Sequence, residues 1–347
     1  MRFARRLRDA LAAGLLFQTA ILAGFAGTAA ASGGCGAEGC PFEAQSNAGQ
    51  SRRFSFDLAY QSIDQDKLWD GGSGASLSGL ASAHSVDLET RTRAWTGVGV
   101  ARITDRLVLS GALAYFDRDQ RSAIQHHSGF FVPYDWNFRG LGDLAVTATL
   151  QPFAALATPT QRLSVLAGIK LPTGRRHVDP VAGTSPFPSV PIEPSPGVRP
   201  GSGSVDGIAG VQYSHPLGAR TIRGVNASVP LTLGAATHFA GKGTDGYRVG
   251  NETQLSLDTS YPMLQSVRLL GQLSASFHGR DDAGTAAAGP HHSGGRSALA
   301  SPGVRIQWTP MFATYGFAQF RVYEHSNGPQ VVAPFQLVFG SSLALGF

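Results

Sequence analysis

The sequence predicts an all-β fold: a closed antiparallel transmembrane β-barrel of about 12 strands, preceded by a cleaved N-terminal signal peptide. Three observations predict it. The chain opens like an exported protein, its later segments alternate apolar and polar residues about ten at a time, and the connections between those segments alternate short and long.

The composition fits an unusual surface. Only 15% of the 347 residues are charged, which is low for a water-facing exterior, and 44 glycines against three methionines argue against a helical protein. The opening MRFARRLRD is followed by the apolar run from Ala10 to Ala30 and by Ala29, Ala30 and Ala31 before Ser32, the three parts of a secretory signal. Cleavage is expected after Ala31. Removing residues 1–31 takes four arginines and one aspartate, so the formal charge falls from +5 to +2 and a nucleic-acid partner is not expected. No later run is long and apolar enough for a transmembrane helix. The expected organisation is therefore a signal at residues 1–31, a periplasmic segment with a Cys-x4-Cys spacing at 32–52, and the barrel at 53–347.

Each strand is read from period-two alternation. "RFSFDLAYQ" puts Phe54, Phe56, Leu58 and Tyr60 on one face and Arg53, Ser55, Asp57 and Gln61 on the other. "SVDLETRTRAWTGVGVA" sets Asp87, Glu89, Arg91 and Arg93 against Val86, Leu88, Thr90 and Thr92, and "RLVLSGALAY" follows a turn at Thr104-Asp105-Arg106. Further segments run Phe138–Leu150, Arg162–Leu171, Gly203–His215, Ile222–Ala236, Tyr247–Tyr261, Val267–Gly279, Ser297–Trp308, Phe312–His325 and Val331–Phe347. In the last, Phe335, Leu337, Phe339, Leu343, Leu345 and Phe347 form an apolar stripe that ends in an aromatic residue. A soluble β-sandwich also has many strands, but these exceed its usual length and match the nine to eleven residues of a tilted membrane strand.

The connections give a second line of argument. Short ones are expected at Thr104–Arg106, Pro152–Thr160, Pro216–Ala219, Pro262–Gln265 and Thr309–Met311. Longer ones are expected at Ser62–Ser85, Asp117–Asn137, Pro172–Ser202, Thr237–Gly246 and Arg280–Arg296, with a brief one at Ser326–Gln330. Outer-membrane barrels show this asymmetry between periplasmic turns and external loops. The loop from Pro172 to Pro200 holds eight prolines and is expected to be an extended lid or recognition loop.

Three stretches carry a resemblance: "FRGLGDLAVTATL", "LSVLAGIKLPTG" and "GSGSVDGIAGVQYSHPL". They resemble the porin-like family of outer-membrane transporters named after the meta-pathway of phenol degradation. In this sequence the matching positions are Gly140, Gly142 and Asp143, then Lys170, Leu171, Pro172, Thr173 and Gly174, then Gly201 and Gly203. The resemblance covers about residues 138–217 and implies outer-membrane transport without fixing a solute. Read from the residues alone, Pro172 marks a strand leaving its ladder, and the glycines mark close or bulged strand starts.

If the apolar stripes face lipid, the other faces line a lumen. The candidates are Asp57, Asp87, Glu89, Arg91, Arg93, Asp143, Lys170, Asp206, Glu252, Asp258, Arg268, His278 and Arg305. Charges of both signs fit either a hydrated channel or paired groups that hold the interior together. Cys35 and Cys40 form either a small disulfide or a soft-metal site. His126-His127 and His291-His292 fall in expected external loops and keep metal handling open as a second transport hypothesis.

No nucleophile–base signature is recognisable, so neither an enzyme nor a cofactor is expected. The expected function is passive passage of small organic solutes, aromatic or amphipathic, through an outer-membrane channel. The alternatives are copper- or zinc-linked transport and a non-conducting barrel that anchors external loops. Expected partners are outer-membrane lipid, the barrel-assembly machinery that reads the terminal stripe, and the solute.

Overall fold

A computed structural model describes residues 53–77, 85–125, 131–152, 162–176, 199–222, 225–243, 246–282 and 293–345. The signal, Cys35, Cys40, both histidine pairs, most of the proline-rich loop and Phe347 lie outside the described residues.

The described strand segments are β1 (Phe54–Gln65), β2 (Lys67–Gly71), β3 (Ser73–Gly74), β4 (Ser85–Arg102), β5 (Leu107–Gln125), β6 (Phe131–Leu141), β7 (Leu144–Leu150) and β8 (Arg162–Leu171). They continue as β9 (Asp206–Ile222), β10 (Val225–Phe239), β11 (Glu252–Pro262), β12 (Val267–His278), β13 (Gly295–Gln307), β14 (Phe312–Val332) and β15 (Phe335–Leu345). Twelve of these lines cross the barrel. β6 and β7 are one line interrupted at Gly142-Asp143, since both pair with β5, while β2 and β3 belong to the first external connection.

Every pairing is antiparallel, and β1 closes the ring by pairing with β4 on one side and β15 on the other. Closure matters because hydrocarbon offers no substitute for a missing hydrogen bond; each orphaned backbone group costs several kcal/mol there. Twelve strands about 4.8 Å apart and tilted about 40° make a cylinder roughly 24 Å across the backbone.

The two faces separate as period two requires. Phe54, Phe56 and Leu58 are 45–50% exposed, whereas the intervening Asp57 and Ala59 are 4–5% exposed. On β15, Phe335, Phe339, Leu343 and Leu345 face outward, while Gln336, Val338, Ser342 and Ala344 are buried. The outward apolar band ends above in a row of aromatics. Tyr60 on β1, Trp95 on β4 and Tyr115 on β5 lie in register, with ring centroids 5.1 and 6.0 Å apart. Amphipathic rings collect where hydrocarbon meets headgroups.

Several boundaries differ from the sequence reading. β9 and β10 extend through the expected Pro216–Ala219 turn to a connection at 223–224, because Pro216 and Pro230 sit opposite each other at a register shift. Neither proline has an N–H to lose, so the ladder is offset there and continues. The expected loop Asp117–Asn137 is mostly strand: β5 and β6 stay paired from Tyr115↔Leu141 up to Gln125↔Phe131. Conversely, β9 starts at Asp206 and β11 at Glu252, later than expected.

Strand assignment continues through Ser326–Gln330, yet the chain reverses there. The segment before it pairs with β13, and Gln330–Val332 then descends against β2, with Gly328 at φ 134°.

An arginine at the outward Leu58 position should cost the folded barrel about 2–4 kcal/mol in lipid vesicles, because it places a charge in hydrocarbon. Urea unfolding followed by fluorescence measures this; a Leu58→Arg midpoint equal to wild type would refute the assignment of this face to lipid.

Candidate functional site

The inward face is the candidate site, and its most ordered part joins the three stretches singled out in the sequence. β8 ends at Leu171, Pro172 provides no N–H to extend it, and Thr173 Oγ1 accepts the Leu144 N–H at 2.9 Å. Asp143 then gathers the chain around its carboxylate. Its Oδ1 accepts the Gly174 N–H at 2.9 Å, and its Oδ2 accepts the Ser202 N–H at 2.9 Å and the Ser202 hydroxyl at 2.7 Å.

Lys170 donates to Ser202 Oγ at 2.9 Å, stands 3.4 Å from Asp143 Oδ2 and contacts Asp206 Oδ2 directly. Asp206 also accepts the Gly241 N–H at 2.8 Å and lies 2.9 Å from His238 Nε2. Side chains of Lys170, Asp143 and Asp206 are only 1–2% exposed. So dry a charge trio is tolerated because nearly every lone pair and proton has a partner.

The glycines allow the close approach. A Cβ on Gly201 would lie 2.5 Å from the Gly174 carbonyl carbon, one on Gly142 would lie 2.7 Å from the Phe116 ring, and one on Gly140 would lie 2.9 Å from Arg175. Gly203 adopts φ +72°, which a side chain disfavours. These residues therefore form one knot that ties β7, β8 and β9 to both ends of the proline-rich loop.

The remaining candidates divide. Asp57, Asp87, Asp258, Arg268, His278, Arg305 and Glu252 face inward, by burial or by register with buried neighbours. Glu89, Arg91 and Arg93 do not face the lumen as the alternation predicts. The ladder between β4 and β5 skips Leu88, so Asp87 pairs with Ser122 while Glu89 pairs with Arg121, and this bulge reverses the parity. Thr90 and Thr92 take the inward positions at 6% and 2% exposure.

The outward charges lie above the aromatic row and pair with one another. Arg91 meets Glu89 at 2.6 Å, Arg139 meets Asp117 at 3.0 Å, and Arg93 meets Asp117 at 3.6 Å. Exposed pairs of this kind contribute little stability, but they show that this part of β4–β6 stands clear of hydrocarbon.

Behind that raised sheet the inward face is dry. Asp87 Oδ1 accepts from Gln120 and Ser122, each at 2.7 Å. Burial raises the Asp87 carboxyl above its ordinary value despite those bonds and the nearby Arg118, and the same burial lowers the Arg118 guanidinium to about 10. Trp136 and Phe138 stack beside this network at 6.3 Å, a contribution the sequence reading placed partly in a loop.

Lower in the lumen, Tyr315 donates to Asp57 Oδ1 at 2.7 Å, Arg305 donates to Ser342 Oγ at 3.0 Å, and Gln61 donates to Gln336 Oε1 at 2.9 Å. Among the described residues, no three His, Cys, Asp or Glu side chains are grouped to hold a metal ion.

The chain's fold is similar to that of an outer-membrane channel from Pseudomonas putida F1, with TM-score 0.54 and 15% identity over 85% of this chain and 96% of that one. Weaker similarities include the translocator domain of the autotransporter NalP from Neisseria meningitidis, with TM-score 0.46 and 12% identity over 88% of this chain and 93% of that one. The toluene transporter TbuX of Ralstonia pickettii matches with TM-score 0.42 and 10% identity over 85% of this chain and 90% of that one. No protein-family model matches the sequence, and no curated protein sequence matches it. Ring closure, the lipid-facing stripe and the first of these similarities together give the architecture of an outer-membrane β-barrel.

Replacing Lys170 by Met should destabilise the barrel by about 3–5 kcal/mol, because it leaves the buried Asp143 and Asp206 uncompensated. Gly201→Ala should cost about 1–3 kcal/mol through overpacking against Gly174. Denaturant midpoints in vesicles report both, with exposed Arg139→Ala as a control expected within about 1 kcal/mol of wild type; a Lys170→Met protein as stable as that control would show that the knot is dispensable.

Proposed function

We propose that this chain is a passive outer-membrane channel for small organic solutes, aromatic or amphipathic, of the porin-like kind named after the meta-pathway of phenol degradation. The observation that carries the reading is the polar inward face of a closed, lipid-facing cylinder. Side chains such as Asp57, Gln61, Gln336 and Arg305 point to the interior. Convergence of the motif residues into one knot supports the family resemblance, since it gives each motif position a physical role. Transport would be diffusion down a gradient, with no nucleotide and no covalent step. Outer-membrane lipid covers the apolar band in this reading, and the barrel-assembly machinery inserts the chain through its terminal stripe.

Purified protein in planar bilayers should show discrete conductance steps, and liposomes carrying it should swell in small aromatic alcohols. The same vesicles should show no preference for copper salts over other divalent salts. Silent bilayers together with unswollen liposomes would remove the channel reading and leave a barrel that anchors its external loops.

A further inference from the structure

Toward the periplasmic end, the inward wall changes character over two adjacent rows. In one row Arg268 of β12 pairs in register with Arg305 of β13, and Arg305 with Tyr315 of β14. In the next row up, Leu270 pairs with Gly303, Gly303 with Phe317, and Phe317 with Val338 of β15. Leu270, Tyr315, Phe317 and Val338 form one apolar cluster, and none is more than 8% exposed.

Two glycines lay its rings against the wall. A Cβ on Gly303 would lie 2.5 Å from the Phe317 ring, and one on Gly340 would lie 2.2 Å from the Tyr315 ring. Tyr315 thus lies along β15 and reaches the Asp57 carboxylate at 2.7 Å.

The charge around these rows is lopsided. Arg102 is the last residue of β4 and Arg162 the first of β8, and both face inward by register: Arg102 pairs with buried Val108, and Arg162 pairs with Ser214, which shares a hydrogen bond with buried Thr232. With Arg268 and Arg305 they give four inward guanidiniums near the periplasmic end. The inward carboxylates at that end, among the described residues, are Asp57 and Asp258. Asp57 is engaged by Tyr315 and stands within electrostatic reach of Arg305, which also donates to Ser342, and Asp258 accepts from Gln272 at 2.6 Å and Ser256 at 2.9 Å; two carboxylates stand against four guanidiniums.

We propose that this end of the lumen is a binding subsite for a small aromatic monocarboxylate. Its ring lies on the Leu270–Phe317–Val338 row, and its carboxylate meets the guanidiniums of Arg268 and Arg305. The subsite rests on the channel reading above and narrows its solute class to organic acids. A guanidinium prefers a carboxylate to any neutral polar group, because a charged fork offers two parallel donors. An apolar row one step away along the wall fits a solute that is greasy at one end and anionic at the other. The same arginines repel an aromatic amine of equal size. Transfer into these poorly solvated rows strengthens both effects, since little water screens them.

Three probes of one shape test this: benzoate, benzyl alcohol and benzylammonium. Equilibrium dialysis of radiolabelled probe against the folded, detergent-solubilised full chain should show saturable benzoate binding about tenfold tighter than benzyl alcohol, and no saturable benzylammonium binding. Arg268→Gln and Arg305→Gln should each bring the ratio of benzoate to benzyl alcohol affinity most of the way down to one. Heat-modifiable gel migration confirms that each variant is folded, and the wild-type probe series stands without them. Equal binding of the three probes, or a benzoate preference that survives both substitutions, overturns the subsite. Benzyl alcohol flux without benzoate preference would overturn the subsite and leave the channel standing; benzoate binding without flux of any probe would do the reverse.

Discussion

Hydrocarbon supplies no hydrogen-bonding partner, and this chain answers that constraint by joining its first strand to its last. The ladder from Phe54↔Leu345 to Ile63↔Gln336 turns a sheet with two hazardous edges into a cylinder with none. The other features follow from that closure. Once the ring is shut, alternate side chains face lipid or lumen, so a single period-two code specifies both a membrane-facing surface and an inner wall. The code also sets where charge is tolerated. The outward Arg91–Glu89 pair lies above the Tyr60–Trp95–Tyr115 row, and the inward Lys170 charge sits where Asp206 meets it.

The knot around Asp143, Lys170 and Asp206 shows how the cylinder handles its longest external connection. The connection between β8 and β9 leaves the wall after Leu171 and returns to it before Asp206. Anchoring both ends of the loop to one buried carboxylate, with Gly174 and Gly201 in backbone contact, fixes the points where it leaves and re-enters the wall. The energy of such a cluster depends on completeness, since a dry charge with its partners removed is far worse than an apolar replacement.

Much of this was legible in the sequence because a two-residue period needs no tertiary information. The stripes Phe54–Tyr60 and Phe335–Leu345 could be read directly, and ten of the thirteen lumen candidates, Asp57 and Arg305 among them, keep the face their parity assigns. Three do not, for one reason: the extra residue Leu88 moves Glu89, Arg91 and Arg93 to the outer face, and a bulge leaves no mark in an alternation count. Pro216 misled in the opposite direction. Proline reads as an interruption in sequence, whereas here it sits opposite Pro230 at a register shift and the ladder runs on, a pairing visible only in three dimensions. The extension of β5 and β6 above the membrane was hidden because Asp117–Asn137 is rich in charge, which outside hydrocarbon is compatible with strand.

Gly303 and Gly340 give the tube a property that its polar residues do not. Because a missing methyl group lets each aromatic side chain recline, two positions that carry no charge decide how far the Phe317 and Tyr315 rings stand off the inner wall. Alanine at either would tip a ring toward the axis and narrow the interior at that height. Two barrels with the same inner charges can therefore differ in inner width, and the signature of that difference would be a hydrogen exchanged for a carbon on the far side of a phenyl group.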